Sequence, residues 1–315
     1  MPQFESAIDH LKSLDHTVTH SGKEISSPKL FYTHDNGQLW LGDAVEWLKS
    51  LPSESIDLVF ADPPYNLKKA EWDSFESQKL YLEWSLQWIE QVARILKPTG
   101  TFYICGFSEI LADLKLPASQ FFQGCRWLIW HYKNKANLSN DWGRSHESIL
   151  HFRKSRKFTL SIENIRTRYG EHTLKYPDHP QAETSQYGKG KKVTKLWQPH
   201  PKGAKPRDVI EVPTTCNGMN EKTPHPTQKP EELVRKFVLA SSQKGDRILD
   251  PFLGSGTTAV VAEQLGRNWL GCDRHAEYLS WAIPRIESAK KQSDEAWFWE
   301  DRNREERRSK NRETS

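Results

Sequence analysis

The run "IDLVFA", Ile56–Ala61, is apolar at every position but one and stops at an acid, two prolines and a tyrosine. A strand that is apolar on both faces needs cover on both faces. That is the situation of a central strand in a parallel sheet flanked by helices. The neighbouring sequence fits this. "LWLG" is a short apolar run, and "DAVEWLKSLP" carries Ala44, Val45, Leu48 and Leu51 at helical spacing until Pro52 stops it. Residues 79–100 read as an amphipathic helix ended by Pro98 and Gly100, followed by the strand "TFYICGF". "RWLIWHYK" and "HESILHFRK" read as two further aromatic-rich strands of the same repeating strand–helix, parallel-sheet architecture.

After Lys154 the regularity is lost, and it returns near residue 224 as helix, strand, glycine turn, helix, strand, helix. The chain therefore divides into a polar N-terminal arm (1–27), a first strand–helix half (28–154), an inserted irregular segment (155–223), a second half (224–290) and a charged tail (291–315). Alternating charge predicts a frayed or disordered tail.

Residues 151–223 hold 15 Lys and Arg against 7 Asp and Glu, a local excess of eight positive charges on a chain of net charge +4. A segregated basic segment suggests a polyanion such as nucleic acid, although for this segment taken alone a solvated, loop-rich insertion is the better reading of the charge. Mean hydropathy is −0.77 and no window approaches bilayer length, so no membrane association is expected. The N-terminus lacks the basic and apolar regions of a signal peptide. The four cysteines are scattered, with no CxxC or Cys/His pair at zinc spacing. These features predict a reduced, metal-independent, cytoplasmic protein.

The stretch "RILDPFLGSGTTAVVAEQLG", 247–266, predicts a strand, a glycine turn and a helix opening at Thr257 and Thr258. Gly254 and Gly256 let the backbone approach a ligand, and the helix start offers unpaired N–H groups. Asp250 ends this strand and Asp273 ends the next, "NWLGCD", 23 residues later. An acid at the end of the second strand is the usual partner of a ribose diol. Neither GxGxxG nor GK[ST] is present, so a nucleoside without a phosphate chain fits better, and S-adenosylmethionine is the candidate. Asp250 would then face its cationic methionyl amino group, or else act as a simple turn cap.

The two prolines have their own logic. A Pro-Pro pair fixes φ twice and removes two N–H donors, so the chain leaves the strand as a rigid elbow. Asp62 adds a carboxylate acceptor and Tyr65 a flat π-face. That set suits a planar ring bearing an exocyclic amino group: two hydrogens accepted by the Asp62 carboxylate and the Pro63 carbonyl, the ring stacked on Tyr65.

"DPPYN" at 62–66, "HPTQKP" at 225–230 and "DPFLGSGTT" at 250–258 together resemble the DNA amino-methyltransferases, which methylate adenine N6 or cytosine N4. Their order is similar to that of the circularly permuted beta class. The resemblance spans roughly residues 38–290 and implies a Rossmann-like, S-adenosylmethionine-dependent methyltransferase fold with a mostly parallel sheet and an inserted target-recognition region at 155–223. It assigns base holding to Asp62, Pro63, Pro64 and Tyr65. It assigns the cofactor pocket to Asp62, Asp250, Phe252, Gly254, Gly256, Thr257 and Asp273, closed by His225, Thr227 and Lys229. Asp43 matches the position that meets the cofactor adenine, though an Asp before a helix also reads as an N-cap. Trp142, Arg144, His146 and Glu147 flank the base pocket in this reading, or are ordinary core and loop residues.

Double-stranded DNA is the implied partner, with Arg144, Lys189, Lys191, Lys192, Lys202 and Lys205 as its expected contacts. A cognate restriction endonuclease, and the choice between monomer and homodimer, stay open. An Asp at the head of the catalytic loop favours adenine; cytosine N4 uses the same kind of pocket.

Overall fold

The computed structural model describes residues 27–66, 73–136, 140, 142–177, 179–180 and 196–313. The predicted arm at 1–27 lies almost wholly outside the described residues. In chain order the strands are β1 (Lys29–His34), β2 (Gly37–Leu41), β3 (Ile56–Ala61), β4 (Leu96–Gly106), β5 (Gly124–Ala136), β6 (Arg144–Arg153), β7 (His179–Pro180), β8 (Leu196–Trp197), β9 (Val209–Glu211), β10 (Arg247–Asp250) and β11 (Asn268–Asp273). Nine of them form one sheet ordered β1-β2-β11-β10-β3-β4-β6-β5-β9, and β7 pairs with β8 in a separate two-stranded sheet. From β2 through β11, β10 and β3 to β4 every neighbour is parallel.

The near-continuous apolar sequence of β3 does what its composition requires. Leu58 and Phe60 enter the core on one face of the sheet, Val59 and Ala61 the core on the other. The second core is covered by α1 (Ala44–Ser50), α2 (Gln78–Ile95) and α3 (Ser108–Ala118); the first by α5 (Glu231–Ser241), α6 (Thr257–Gln264) and α7 (Ala276–Glu287). A short α4 (Glu171–Lys175) lies in the inserted segment. β3 leads through α2 to β4 on one side, while β10 leads through α6 to β11 on the other. The strand order reverses between β3 and β10, which opens a crevice at their carboxyl ends.

Three expectations are corrected. β5 and β6 are antiparallel to each other, and β6 is antiparallel to β4. The link between β5 and β6 spans only residues 137–143, too short for the crossover that a parallel pair needs. The helix predicted to reach Gly100 ends at Ile95, and Pro98 lies inside β4. A proline disfavours helical backbone in the residue before it, so the chain leaves the helix early. The charged tail forms α8 (Asp294–Glu313). Trp297 and Phe298 near its start are buried, and the Arg235 guanidinium stacks 3.7 Å from the Trp297 ring centre. Arg267, itself buried, donates to Asp294 at 2.9 Å. The two buried aromatics anchor a helix whose charge alone suggested a solvated end.

The inserted segment is also more integrated than its irregular sequence suggested. β9 joins the main sheet in parallel beside β5. Part of the segment's positive charge is structural: the Arg166 guanidinium donates to Glu163 at 2.9 Å and to the Gly203 carbonyl at 2.9 Å.

Candidate active site

Parallel strands deliver their carboxyl ends to one edge, and the acids travel with them. Asp62 follows β3, Asp250 ends β10, Asp273 ends β11, and Asp43 sits two residues past β2. Because β6 runs the other way, its first residues, including Arg144, His146 and Glu147, reach that same edge. Two clefts open there.

The first encloses about 840 Å³ up to its open mouth. It is lined by Asp43, Asp62, His225, Thr227, Lys229, Asp250, Phe252, Gly254, Thr257 and Asp273, all anticipated from the sequence, and by apolar walls from Phe60, Trp84 and Leu253. Gly256 is not among its lining residues. It is the left-handed N-cap of α6 (φ +86°), where an added Cβ would lie 2.5 Å from the Ala282 Cβ. Gly254 is left-handed too (φ +53°), and a Cβ there would press on the His225 ring at 3.0 Å.

Local hydrogen bonds fix the acids. Asp43 caps α1 by accepting from the Val45 and Glu46 N–H groups at 2.9 and 3.2 Å, so both readings of this residue hold geometrically. Asp273 accepts from the Gly254 N–H at 2.8 Å and the His275 N–H at 2.9 Å. Asp250 accepts from the Phe252 N–H at 3.0 Å and the Thr258 hydroxyl at 2.5 Å. Burial pushes the Asp250 carboxyl up to about 7, with Asp62 and Asp273 pushing the same way against those two bonds. Burial also pushes the His225 imidazole down to about 4, so it brings no charge at neutral pH. An apolar cleft holding several carboxylates and a neutral imidazole suits a ligand with an aromatic ring and cationic groups.

The second cleft encloses about 830 Å³ and shares Asp62, Thr227, Gln228 and Lys229 with the first. Its other walls include Pro63, Tyr65, Phe107, Trp130, Glu147 and Thr215. At the seam, the Lys229 ammonium lies 2.6 Å from Asp62 Oδ2 and 3.5 Å from Glu147 Oε2. The Tyr65 hydroxyl donates to Asp62 Oδ1 at 2.5 Å and lies 3.2 Å from Glu147 Oε2. Tyr65 is half-buried, and its hydroxyl is tied to the acid three residues back. Burial and the neighbouring carboxylates hold its phenol well above the ordinary value, so it remains a donor. Burial by itself would lower Lys229, but Asp62 and Glu147 more than reverse that and keep it charged.

The elbow is braced from outside. The Pro64 carbonyl accepts from the Tyr81 hydroxyl at 3.0 Å, and the Tyr65 N–H donates to buried Asp73 at 2.6 Å. Asn66 adopts left-handed backbone (φ +57°) while its side chain accepts from the Phe75 N–H at 2.9 Å. Sequence reasoning did not single out Asp73, Phe107, Trp130 or Thr215. Asp73 follows the proline elbow at loop distance and carried a readable hint; Trp130 looks like any core aromatic of a strand.

The expected DNA contacts separate. The Arg144 guanidinium stacks 3.7 Å from the centre of the Phe107 ring, at the wall of the second cleft. Nearby Trp142 is 92% exposed, and His146 pairs with the Ser108 hydroxyl at 3.3 Å. The Lys202 ammonium instead approaches the Phe298 ring of α8 at 5.7 Å. Lys205 is exposed and lines neither cleft. Lys189, Lys191 and Lys192 lie outside the described residues.

Comparison with known proteins gives a consistent picture. The sequence model of a DNA methylase family, the N6/N4 type, matches residues 56–284. Type II methyltransferase M1.MboII of Moraxella bovis is 33% identical over 249 residues, covering 75% of this chain and 91% of that protein. The DNA adenine methyltransferase YhdJ of Escherichia coli K12 is 33% identical over 262 residues, covering 81% of this chain and 84% of that protein. Among solved structures, the cytosine-N4-specific PvuII DNA methyltransferase superposes with a TM-score of 0.62 at 21% identity, over 88% of this chain and 94% of that one. At that identity the likeness speaks to the fold.

Proposed function

The chain belongs to the DNA methylase family of the N6/N4 type, and from that premise we propose that it moves a methyl group from S-adenosylmethionine to adenine N6 in duplex DNA. The observation that carries this reading is the shared wall. Asp62 and Lys229 belong to both clefts, so a ligand in each would meet at the Asp62 carboxylate.

The first cleft fits the cofactor. Its carboxylates suit the ammonium and sulfonium charges, Asp250 above all, since a buried acid pushed up to about 7 gains from a cation beside it. Phe252, Trp84 and Phe60 offer apolar surface for the purine. Bound there, S-adenosylmethionine supplies a methyl group already activated on sulfur. The protein's own task is then alignment rather than activation of a leaving group.

The second cleft would take the base. An amino group inside a duplex is out of reach, so the nucleotide must be flipped into the pocket. There the Asp62 carboxylate and the Pro63 carbonyl accept the two amino hydrogens, which directs the nitrogen lone pair toward the first cleft. Tyr65 offers its ring to the base, and its hydroxyl bond to Asp62 fixes ring and carboxylate relative to each other. The Asp heading the loop supports adenine, as does the adenine activity in the name of YhdJ.

Residues 155–223, with their excess of positive charge, are assigned the choice of DNA site. Relatives named as type II methyltransferases support a restriction–modification setting, and a cognate endonuclease and a place in the cytoplasm belong to the same proposal. Among the described residues no helix is long and apolar enough to cross a membrane. The test is methylation of duplex DNA with isotopically labelled S-adenosylmethionine, followed by digestion to nucleosides and mass spectrometry. Label in N6-methyl-2′-deoxyadenosine is expected; label in N4-methyl-2′-deoxycytidine would replace the adenine reading, and none in DNA would end it.

A further inference from the structure

The seam holds one group that amino-nitrogen chemistry leaves unused, the Lys229 ammonium. It is 7% exposed, it lines both clefts, and it lies 2.6 Å from Asp62 Oδ2. We propose that Lys229 is a specificity-determining residue that donates a hydrogen bond to the ring nitrogen beside the target amino group, adenine N1, while Asp62 accepts from N6. This deepens the adenine-methylation reading and rests on it.

The argument is one of complementary edges. The pairing edge of adenine presents an amino donor next to a bare ring-nitrogen acceptor. The seam presents a carboxylate acceptor next to an ammonium donor. An ammonium has three N–H groups and no acceptor. The carboxylates of Asp62 and Glu147 engage two sides of it, and the second cleft meets it as well. The ammonium also stands among the aromatics that would bracket a base, 5.5 Å from the Tyr65 ring centre and 6.0 Å from that of Trp130.

Glu147 has a place in this arrangement as a positioning residue. While Asp62 accepts from the incoming amino group in place, Glu147 holds the ammonium from another side at 3.5 Å and offers the Tyr65 hydroxyl a second acceptor at 3.2 Å. Both carboxylates hold Lys229 in its charged, donating form. The pair also sorts bases by class. Guanine and thymine carry a ring N–H and a carbonyl on this edge, so Lys229 would face a donor and Asp62 an acceptor. Adenine and cytosine both satisfy the pair. Lys229 and Asp62 together would therefore select an amino group beside a bare ring nitrogen, and the shape of the pocket would choose between the two.

The test replaces the target adenine, at the site mapped by the methylation assay, with 1-deazaadenine or 3-deazaadenine. Loss of N1 also weakens base pairing and makes flipping easier, so a slower reaction cannot be charged to flipping. With the wild-type enzyme, kcat/KM should fall at least about tenfold on the 1-deaza duplex, the scale of a charged donor left unpaired, and stay near the parent value on the 3-deaza duplex. Lys229→Met should be slower on adenine and indifferent to the 1-deaza change. The wild-type comparison stands even if that variant fails to fold. Equal wild-type rates on adenine and 1-deazaadenine overturn the proposal. Label found in cytosine of the parent duplex overturns the adenine reading instead, and the same comparison with 3-deazacytosine then decides the role of Lys229.

Discussion

Lys229 Nζ and Asp62 Oδ2 lie 2.6 Å apart across residues 167 positions distant in sequence, and this pair forms the wall between the two clefts. Asp62 is held on its other oxygen by the Tyr65 hydroxyl. A carboxylate fixed on both oxygens has little rotational freedom to lose when a substrate arrives, which is what a catalysis of alignment requires. A buried ion pair is at the same time an expensive feature for stability, so its presence at the seam points to function rather than to folding.

Asp250 should make both stability and cofactor affinity depend on pH. Its folded value is raised by burial to about 7, against about 3.9 in an unfolded chain. Such a group contributes stability that is fully present below the unfolded value and is lost as pH rises through the folded one. Without cofactor, the unfolding temperature should therefore carry a falling component between about pH 4 and 7, absent in Asp250→Asn. A cationic cofactor favours the charged carboxylate, so affinity should rise across the upper part of that window, by up to about tenfold per pH unit below 7. Calorimetry from pH 5.5 to 7.5 checks this; a flat affinity profile would remove Asp250 from the cofactor's charge pairing.

The two glycines of the turn should respond differently. Gly256→Ala places a Cβ against Ala282 in left-handed backbone, and should cost at least about 1 kcal/mol of stability while leaving cofactor affinity in the folded fraction little changed. Gly254→Ala presses on His225 at the cleft and should weaken cofactor binding as well. Thermal unfolding with and without cofactor separates the two. Equal loss of affinity in both variants would contradict the placement of Gly256 outside the cleft.

Trp297→Ala should destabilise the fold by about 3 kcal/mol, since it empties a buried site and strips the ring from the buried Arg235 guanidinium. Chemical denaturation measures it. Loss below about 0.5 kcal/mol would mean that α8 is not docked as described.

Much of this site was legible because its residues lie within short motifs at strand ends. Asp62, Asp250 and Asp273 each follow an apolar run, and a parallel sheet brings such ends together whatever the intervening sequence. What was not legible depended on long-range direction. Glu147 was named beside the base pocket through the motif resemblance, but its contacts with Lys229 and Tyr65 depend on β6 running antiparallel to β4, and the sequence was read as parallel there. Trp130 is recognisable as a cleft wall only once β5 is placed beside β6. The tail misled for another reason: its charge outweighed "WFW" at 297–299, whose first two residues anchor α8.

Neutralising Lys189, Lys191 and Lys192 together should weaken binding to all DNA sequences alike and flatten the salt dependence. If each contacts a phosphate, the slope of log K against log salt should drop by up to about 2.7. Fluorescence anisotropy across a salt series measures it, and an unchanged slope would place the DNA backbone elsewhere on the molecule.

The most direct measurement of the whole account is Asp62→Ala under saturating cofactor, with cofactor affinity read by calorimetry and methyl transfer by single turnover on duplex DNA. If Asp62 acts on the base amino group at the seam, cofactor affinity should stay within about threefold, and the transfer rate should fall at least about 100-fold. A folded variant that transfers methyl groups at nearly the wild-type rate would contradict the account.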